Sequence, residues 1–242
     1  MLLLHFALSV FRLTPCEASQ KDEVICGPAS AWFESVDMSV DVAKRGFHRE
    51  LLYEVHHDPT PQAIKALVIQ RLPSGVYMDQ YQLASLREDT GLQVLLDSAV
   101  SLEDPAHMSS GFSALVYLSP ADGLPGLLQA VVPVHGRYHR PSSSGGWERV
   151  YIEGPRLLLR PESCETLPSG LPHRVVEAPC TVQNQSVCSW LEIQGLQVPD
   201  SVTLELPVGD FSLTGPVCAG TILATLLCFA LLFRTIWTHG IF

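Results

Sequence analysis

Apolar and polar positions alternate over short runs along most of the chain. The runs at 49–56 (RELLYEVH), 66–72, 92–100, 112–118, 127–134, 149–153 and 202–206 each read as a strand. The last has the cleanest alternation. Val202, Leu204 and Leu206 share one face and Thr203 and Glu205 the other, the pattern of a strand with one buried and one wet side. Turn-forming clusters separate the runs, among them Pro73-Ser74-Gly75, Gly123-Leu124-Pro125 and Ser142-Ser143-Ser144-Gly145-Gly146. Within this region only 79–88 (DQYQLASLRE) has clear helical character, with Leu83 and Leu86 three apart and Arg87 near its end. Many short strands with frequent turns predict a mainly β domain, an antiparallel β-sandwich of two sheets rather than a βαβ fold. No internal repeat is visible.

The two ends depart from this texture. Residues 1–18 (MLLLHFALSVFRLTPCEA) hold an apolar run at 2–13 and then small residues, Cys16 and Ala18, on either side of Glu17. This pattern reads as a secretory signal peptide, although no Lys or Arg precedes the run. After Asp210 the chain runs without a formal charge from 211 to 233, and at about 1.5 Å of rise per residue that stretch makes a helix of roughly 34 Å, enough to cross a bilayer. With a cleaved signal and one late transmembrane helix, 19–210 lies outside the cytosol and 234–242 (RTIWTHGIF) forms a cytosolic tail. Arg234 at the inner edge agrees with the positive-inside bias. A GPI-attachment signal at the C-terminus is a competing reading, but Arg234 and His239 follow the apolar stretch and the residues before it make a poor polar spacer.

Composition narrows the choice. With 47% hydrophobic and 17% charged residues, the chain is no disordered polyelectrolyte. Residues 19–210 carry 13 Lys and Arg against 24 Asp and Glu, an acidic balance with no footprint for nucleic acid and little attraction to anionic lipid. Four cysteines fall in this region: Cys26, Cys164, Cys180 and Cys188. In an oxidising lumen they form two disulfides most simply, with three connectivities open. The chain's single asparagine, Asn184, lies in Asn184-Gln185-Ser186, a glycosylation acceptor four residues from each of two cysteines.

Searches for catalytic chemistry return little. The run Gly111-Phe112-Ser113-Ala114-Leu115 lacks the second glycine of a nucleophile elbow. The nearest metal-like pattern, His135 and His139 with His56-His57, lacks further ligands, and the cysteines are better used as disulfides. No glycine-rich loop opens a helix, and no Asp-x-Asp pair is present to hold a metal or polarise a sugar donor. The residues therefore read as a non-catalytic, membrane-anchored domain that uses no cofactor and no metal.

Several stretches resemble one family. GFHRELL at 46–52, LPSGVYMD at 72–79 running into YQLASLRE at 81–88, and VPVHGRYHRP at 132–141 are similar to PIG-X, and Ala178-Pro179-Cys180 and Leu206-Pro207-Val208-Gly209 continue the match in order. PIG-X proteins are accessory subunits of the endoplasmic reticulum enzyme that adds the first mannose to the GPI anchor precursor. The resemblance implies a stabilising subunit that binds PIG-M, the multi-span catalytic subunit, which uses dolichol-phosphate-mannose on the luminal side. It carries over no catalytic residue. Two features suit partner contact. Arg137, Tyr138, His139 and Arg140 form a basic, aromatic island on an acidic domain, which also reads as an edge strand blunted by charge. Gly220 and Ala224 stand four apart in the span, as do Thr221 and Thr225, where another helix could approach closely. A cell-surface adhesion or receptor domain of the same topology is the alternative reading, and a luminal hydrolase a third.

Overall fold

The computed structural model describes residues 30–60, 63–143, 145–162, 174–184 and 186–240. The expected signal peptide, Cys26 and Cys164 lie outside them. After a short helix α1 (Ser30–Phe33), four strands follow: β1 (Asp37–Ala43), β2 (His48–His56), β3 (Ile64–Leu72) and β4 (Val76–Tyr77). Helix α2 (Gln80–Thr90) precedes β5 (Gln93–Leu96), β6 (Phe112–Pro120) and β7 (Leu127–Gly136). The remaining strands are β8 (Gly146–Glu153), β9 (Arg156–Pro161), β10 (Arg174–Pro179), β11 (Val187–Glu192) and β12 (Ser201–Val208), and the chain closes on α3 (Thr214–His239).

Ten strands form one antiparallel sheet with the path β1-β2-β7-β6-β3-β9-β11-β10, with β4 on β7 and β5 on β6. The link between β6 and β7 is only two residue pairs long, Ser119 with Gln129 and Pro120 with Leu128. The two halves fold face to face about this link. Their inward residues, such as Leu51, Tyr53 and Val132 from one half and Val68, Val116 and Leu159 from the other, belong to a single buried cluster. This is the expected sandwich, made from one sheet closing over itself. A separate ribbon of β8 and β12 adds Val150, Ile152, Leu204 and Leu206 to the same core.

Alternation explains most strands but not all. In β7, Leu128, Ala130, Val132 and Val134 point inward. In β9, by contrast, Leu157, Leu158 and Leu159 are all buried, because the central strand is covered on both sides. Leu157 and Leu159 face the main core, while Leu158 joins Leu67, Ala178 and Trp190 in a second cluster on the outer face. The run at 92–100 is shorter than its hydrophobicity predicts, pairing only over Gln93–Leu96. One polar group enters the core with its partners. The Tyr53 hydroxyl donates to Gln70 Oε1 at 3.0 Å, and the Gln70 amide donates to the carbonyls of Arg71 and Glu153 at 3.0 and 2.7 Å.

Helix α2 starts where expected. Asp79 caps it, its Oδ1 accepting from the Tyr81 and Gln82 amides at 2.8 and 3.4 Å. Gly91 ends it in the left-handed conformation at φ 75°. At the other end of the chain, a 3-10 turn (Phe211–Leu213) precedes α3, which continues past residue 233 to His239. Within the helical segment Phe211–His239 an 18-residue window has a mean hydropathy of 2.2 and buries nothing against the rest of the molecule. A long, predominantly apolar, unpacked helix fits single-pass membrane anchoring.

Candidate partner-binding surface

The segments that resemble PIG-X are far apart in sequence, and most of them meet at the C-terminal end of β7. His135 lies between two strands, opposite His48 of β2 and Tyr77 of β4. The Gly136 amide donates to the Phe47 carbonyl at 2.7 Å, and the Arg137 amide to the Gly75 carbonyl at 2.9 Å. Leu206 of β12 lies over Gly136, so close that a Cβ there would stand 2.5 and 2.7 Å from the leucine methyls. A side chain here would push against Leu206, so the constraint at this position is space and not backbone freedom. Only the 178–180 block lies elsewhere, at the β10–β11 hairpin.

Arg137 corrects the sequence reading. It is 3% exposed, and its side chain turns into the domain instead of joining a surface island. The two terminal nitrogens donate to the carbonyls of Asp104 and Ser101, both at 2.6 Å, and the guanidinium carbon sits 4.9 Å from the Tyr77 ring centroid. Arg137 therefore fastens the 101–109 segment to the end of the sandwich. That segment is also held by the Ala106 amide, which donates to the Tyr138 carbonyl at 3.0 Å. What remains outside is Tyr138, 74% exposed and 5.0 Å from the Phe47 ring, together with exposed Arg140. His139 is half-buried, and its Nε2 has no hydrogen-bond partner among the described residues.

Beside this rim is a polar network that the sequence did not reveal. His48 Nδ1 and His135 Nδ1 are 2.8 Å apart, His135 Nε2 is 2.8 Å from Gln82 Oε1, and the His135 ring stacks on Tyr77 at 5.0 Å. An amide oxygen accepts only, so His135 carries its proton on Nε2 and its Nδ1 accepts from His48. The arrangement favours a neutral His135. Burial lowers its pKa below the usual value, His48 lowers it further, and Asp79 opposes both. The sequence pairing of His135 with His139 and His56-His57 does not form. His56 lies opposite Leu127, at the far end of the β2–β7 ladder, about 26 Å from the His48–His135 pair. No group of three potential metal ligands occurs among the described residues.

Of the four cysteines, Cys180 and Cys188 are joined in a disulfide that closes the β10–β11 hairpin. Asn184 is exposed in the loop between them. Its Oδ1 accepts from the Ser186 amide at 3.1 Å and its own amide donates to Thr181 Oγ1 at 2.9 Å. On α3, Gly220 and Ala224 fall on one side, while Phe229, Phe233 and Trp237 stack in series, 6.2 and 6.0 Å apart, on the opposite side. The helix thus has a smooth face and an aromatic one.

Fold and surface together define a β-sandwich domain carried on one membrane-compatible helix, with an exposed aromatic rim where its most distinctive segments converge. The family model of PIG-X / PBN1 matches residues 44–237, and the chain belongs to that family. A human protein named GPI alpha-1,4-mannosyltransferase I, stabilizing subunit, is 33% identical over 206 residues, covering 84% of this chain and 80% of the relative. The rat protein of the same name is 31% identical over 203 residues, covering 82% and 81%, and the mouse protein is 31% identical over 203 residues, covering 82% and 80%.

Proposed function

We propose that this chain is a non-catalytic stabilising subunit of GPI mannosyltransferase I, resident in the endoplasmic reticulum membrane with its β domain in the lumen. Its partner is PIG-M, the catalytic subunit that transfers the first mannose from dolichol-phosphate-mannose to the GPI anchor precursor. The observation that carries this reading is the family match, which runs unbroken through the domain and the helix and so includes both candidate contact regions. The physical role is linkage. A subunit that binds only the folded form of a multi-span protein raises the population of that form. The rim of Phe47, Tyr138 and Arg140 has the aromatic and arginine character of an interface centre, and the Gly220–Ala224 face of α3 allows close helix approach.

Deleting the chain tests the reading. Expected are loss of surface GPI-anchored proteins, loss of the first mannosylated intermediate and reduced amounts of the catalytic subunit. Normal intermediate levels would refute it. Gly220→Leu with Ala224→Leu should reduce co-purification of the catalytic subunit if the smooth face is the seam, and unchanged co-purification removes that seam. A high-mannose glycan on Asn184 accords with residence in the reticulum, whereas a complex glycan would favour the cell-surface receptor alternative.

A further inference from the structure

We infer that the end of the domain around Trp147 is seated in the lipid headgroup layer, so that the sandwich rests on the bilayer instead of swinging above it. The inference rests on reading α3 as a membrane span. The first observation is the junction. Between β12 and α3 the backbone is bonded to the chain on either side of Asp210: the Ser142 amide donates to the Gly209 carbonyl at 3.0 Å, and the Phe211 amide donates to the Ser142 carbonyl at 2.8 Å. Asp210 caps the 3-10 turn that follows, its carboxylate accepting from the Ser212 amide at 2.8 Å. The domain and the helix are therefore coupled without a free linker.

The second observation is what this junction brings to the level of the helix entrance. A Cβ on Gly145 would stand 3.4 Å from that of Asp210, and Trp147, two residues on, pairs with Pro207 at the end of β12. At about 3.3 Å per extended residue, Trp147 lies within roughly 7 Å of Gly145 along the strand, and the layer between hydrocarbon and water is of similar depth, about 5–8 Å. Trp147 is 64% exposed and lines one shallow groove with Arg45. Directly after Asp210, Phe211 is 66% and Leu213 55% exposed, so the apolar surface of the span begins at this junction. Indole rings with arginines beside them match the chemistry of the bilayer interface, where the ring is half solvated and the guanidinium meets phosphate. At the other end of α3, Trp237 with Arg234 repeats the combination. Because the domain as a whole is acidic, the seating is aromatic and local, and zwitterionic lipid suffices.

The test uses the full chain reconstituted in phosphatidylcholine vesicles. Trp147 and Trp237 emission are each taken as the difference between the parent and the Trp147→Phe or Trp237→Phe variant, and a urea midpoint equal to the parent's shows that each variant folds. The expected result is loss of Trp147 emission to lipids brominated near the headgroup end of the acyl chain, with little loss to aqueous iodide. Quenching by iodide alone, while Trp237 is quenched by brominated lipid, overturns the inference and leaves the span intact. If neither tryptophan responds to brominated lipid, the reading of α3 fails and the inference with it. Shielding of Trp147 that develops only when the catalytic subunit is co-reconstituted overturns the inference in favour of a protein contact.

Discussion

Replacing Arg137 separates a structural role from a contact role. Its guanidinium donates two hydrogen bonds to the carbonyls of Ser101 and Asp104 from a position that is 3% exposed. A hydrogen bond from a charged donor contributes about 1.5–3 kcal/mol, and both acceptors lie on a part-buried segment where water can replace only some of what is lost. The contact with Tyr77 adds roughly 1 kcal/mol. Against this stands the cost of burying the charge, raised by an Nε with no partner among the described residues. The net loss expected for Arg137→Ala is about 2–5 kcal/mol, a large part of the roughly 5–15 kcal/mol that holds a domain folded. Arg137→Lys should recover less than half, because an ammonium cannot span both carbonyls in the fork geometry. Urea unfolding of the full chain in detergent, followed by tryptophan emission and far-UV circular dichroism, measures the change. Amide exchange over 97–110 should rise before global unfolding, since this segment loses its fastening. Tyr138→Ala, which alters an exposed ring, should change stability by no more than about 0.5 kcal/mol. The reasoning is refuted if Arg137→Ala is equally neutral, or if it abolishes partner binding while exchange over 97–110 stays as in the parent.

Three further outcomes follow from the same region and its surroundings. Gly136→Ala forces a methyl against Leu206 and should cost about 1–3 kcal/mol, seen as a lower urea midpoint with an unchanged slope; shortening the neighbour in Gly136→Ala with Leu206→Val should restore part of it. Removing the disulfide by Cys180→Ser with Cys188→Ser opens a loop of sequence separation 8 and should lower stability by about 2.5 kcal/mol, measured by unfolding with the parent under oxidising conditions as reference. The His135 pKa is depressed in the folded chain, so on acidification the unfolded chain takes up this proton first. Stability is therefore full above the ordinary histidine value of 6.5 and declines as pH falls below it, until the folded ring also protonates. Urea midpoints measured across that range should fall with pH in the parent and fall less in His135→Gln; identical slopes would show that this ring is not responsible.

The mainly β class, the helix at α2 and the long apolar helix were all legible in the sequence. Each depends on interactions within a few residues, and period-2 alternation, leucines three apart with an arginine near the helix end, or an uninterrupted apolar stretch shows them directly. The strand at 156–161 was not, because burial on both faces erases alternation, and Leu157, Leu158 and Leu159 read as a featureless run. The partner of a histidine was equally invisible: His48 and His135 are 87 residues apart and meet only through strand register. Among the four candidate patch residues, the sequence placed Arg137, Tyr138, His139 and Arg140 together as a basic island. Only the tertiary structure turned Arg137 inward, since the carbonyls that satisfy it belong to a segment more than 30 residues away. Local periodicity determines which side chains share a face. Which of those faces is covered, and by what, is decided by the long-range packing of the sheet and by the rim it presents beside the spanning helix.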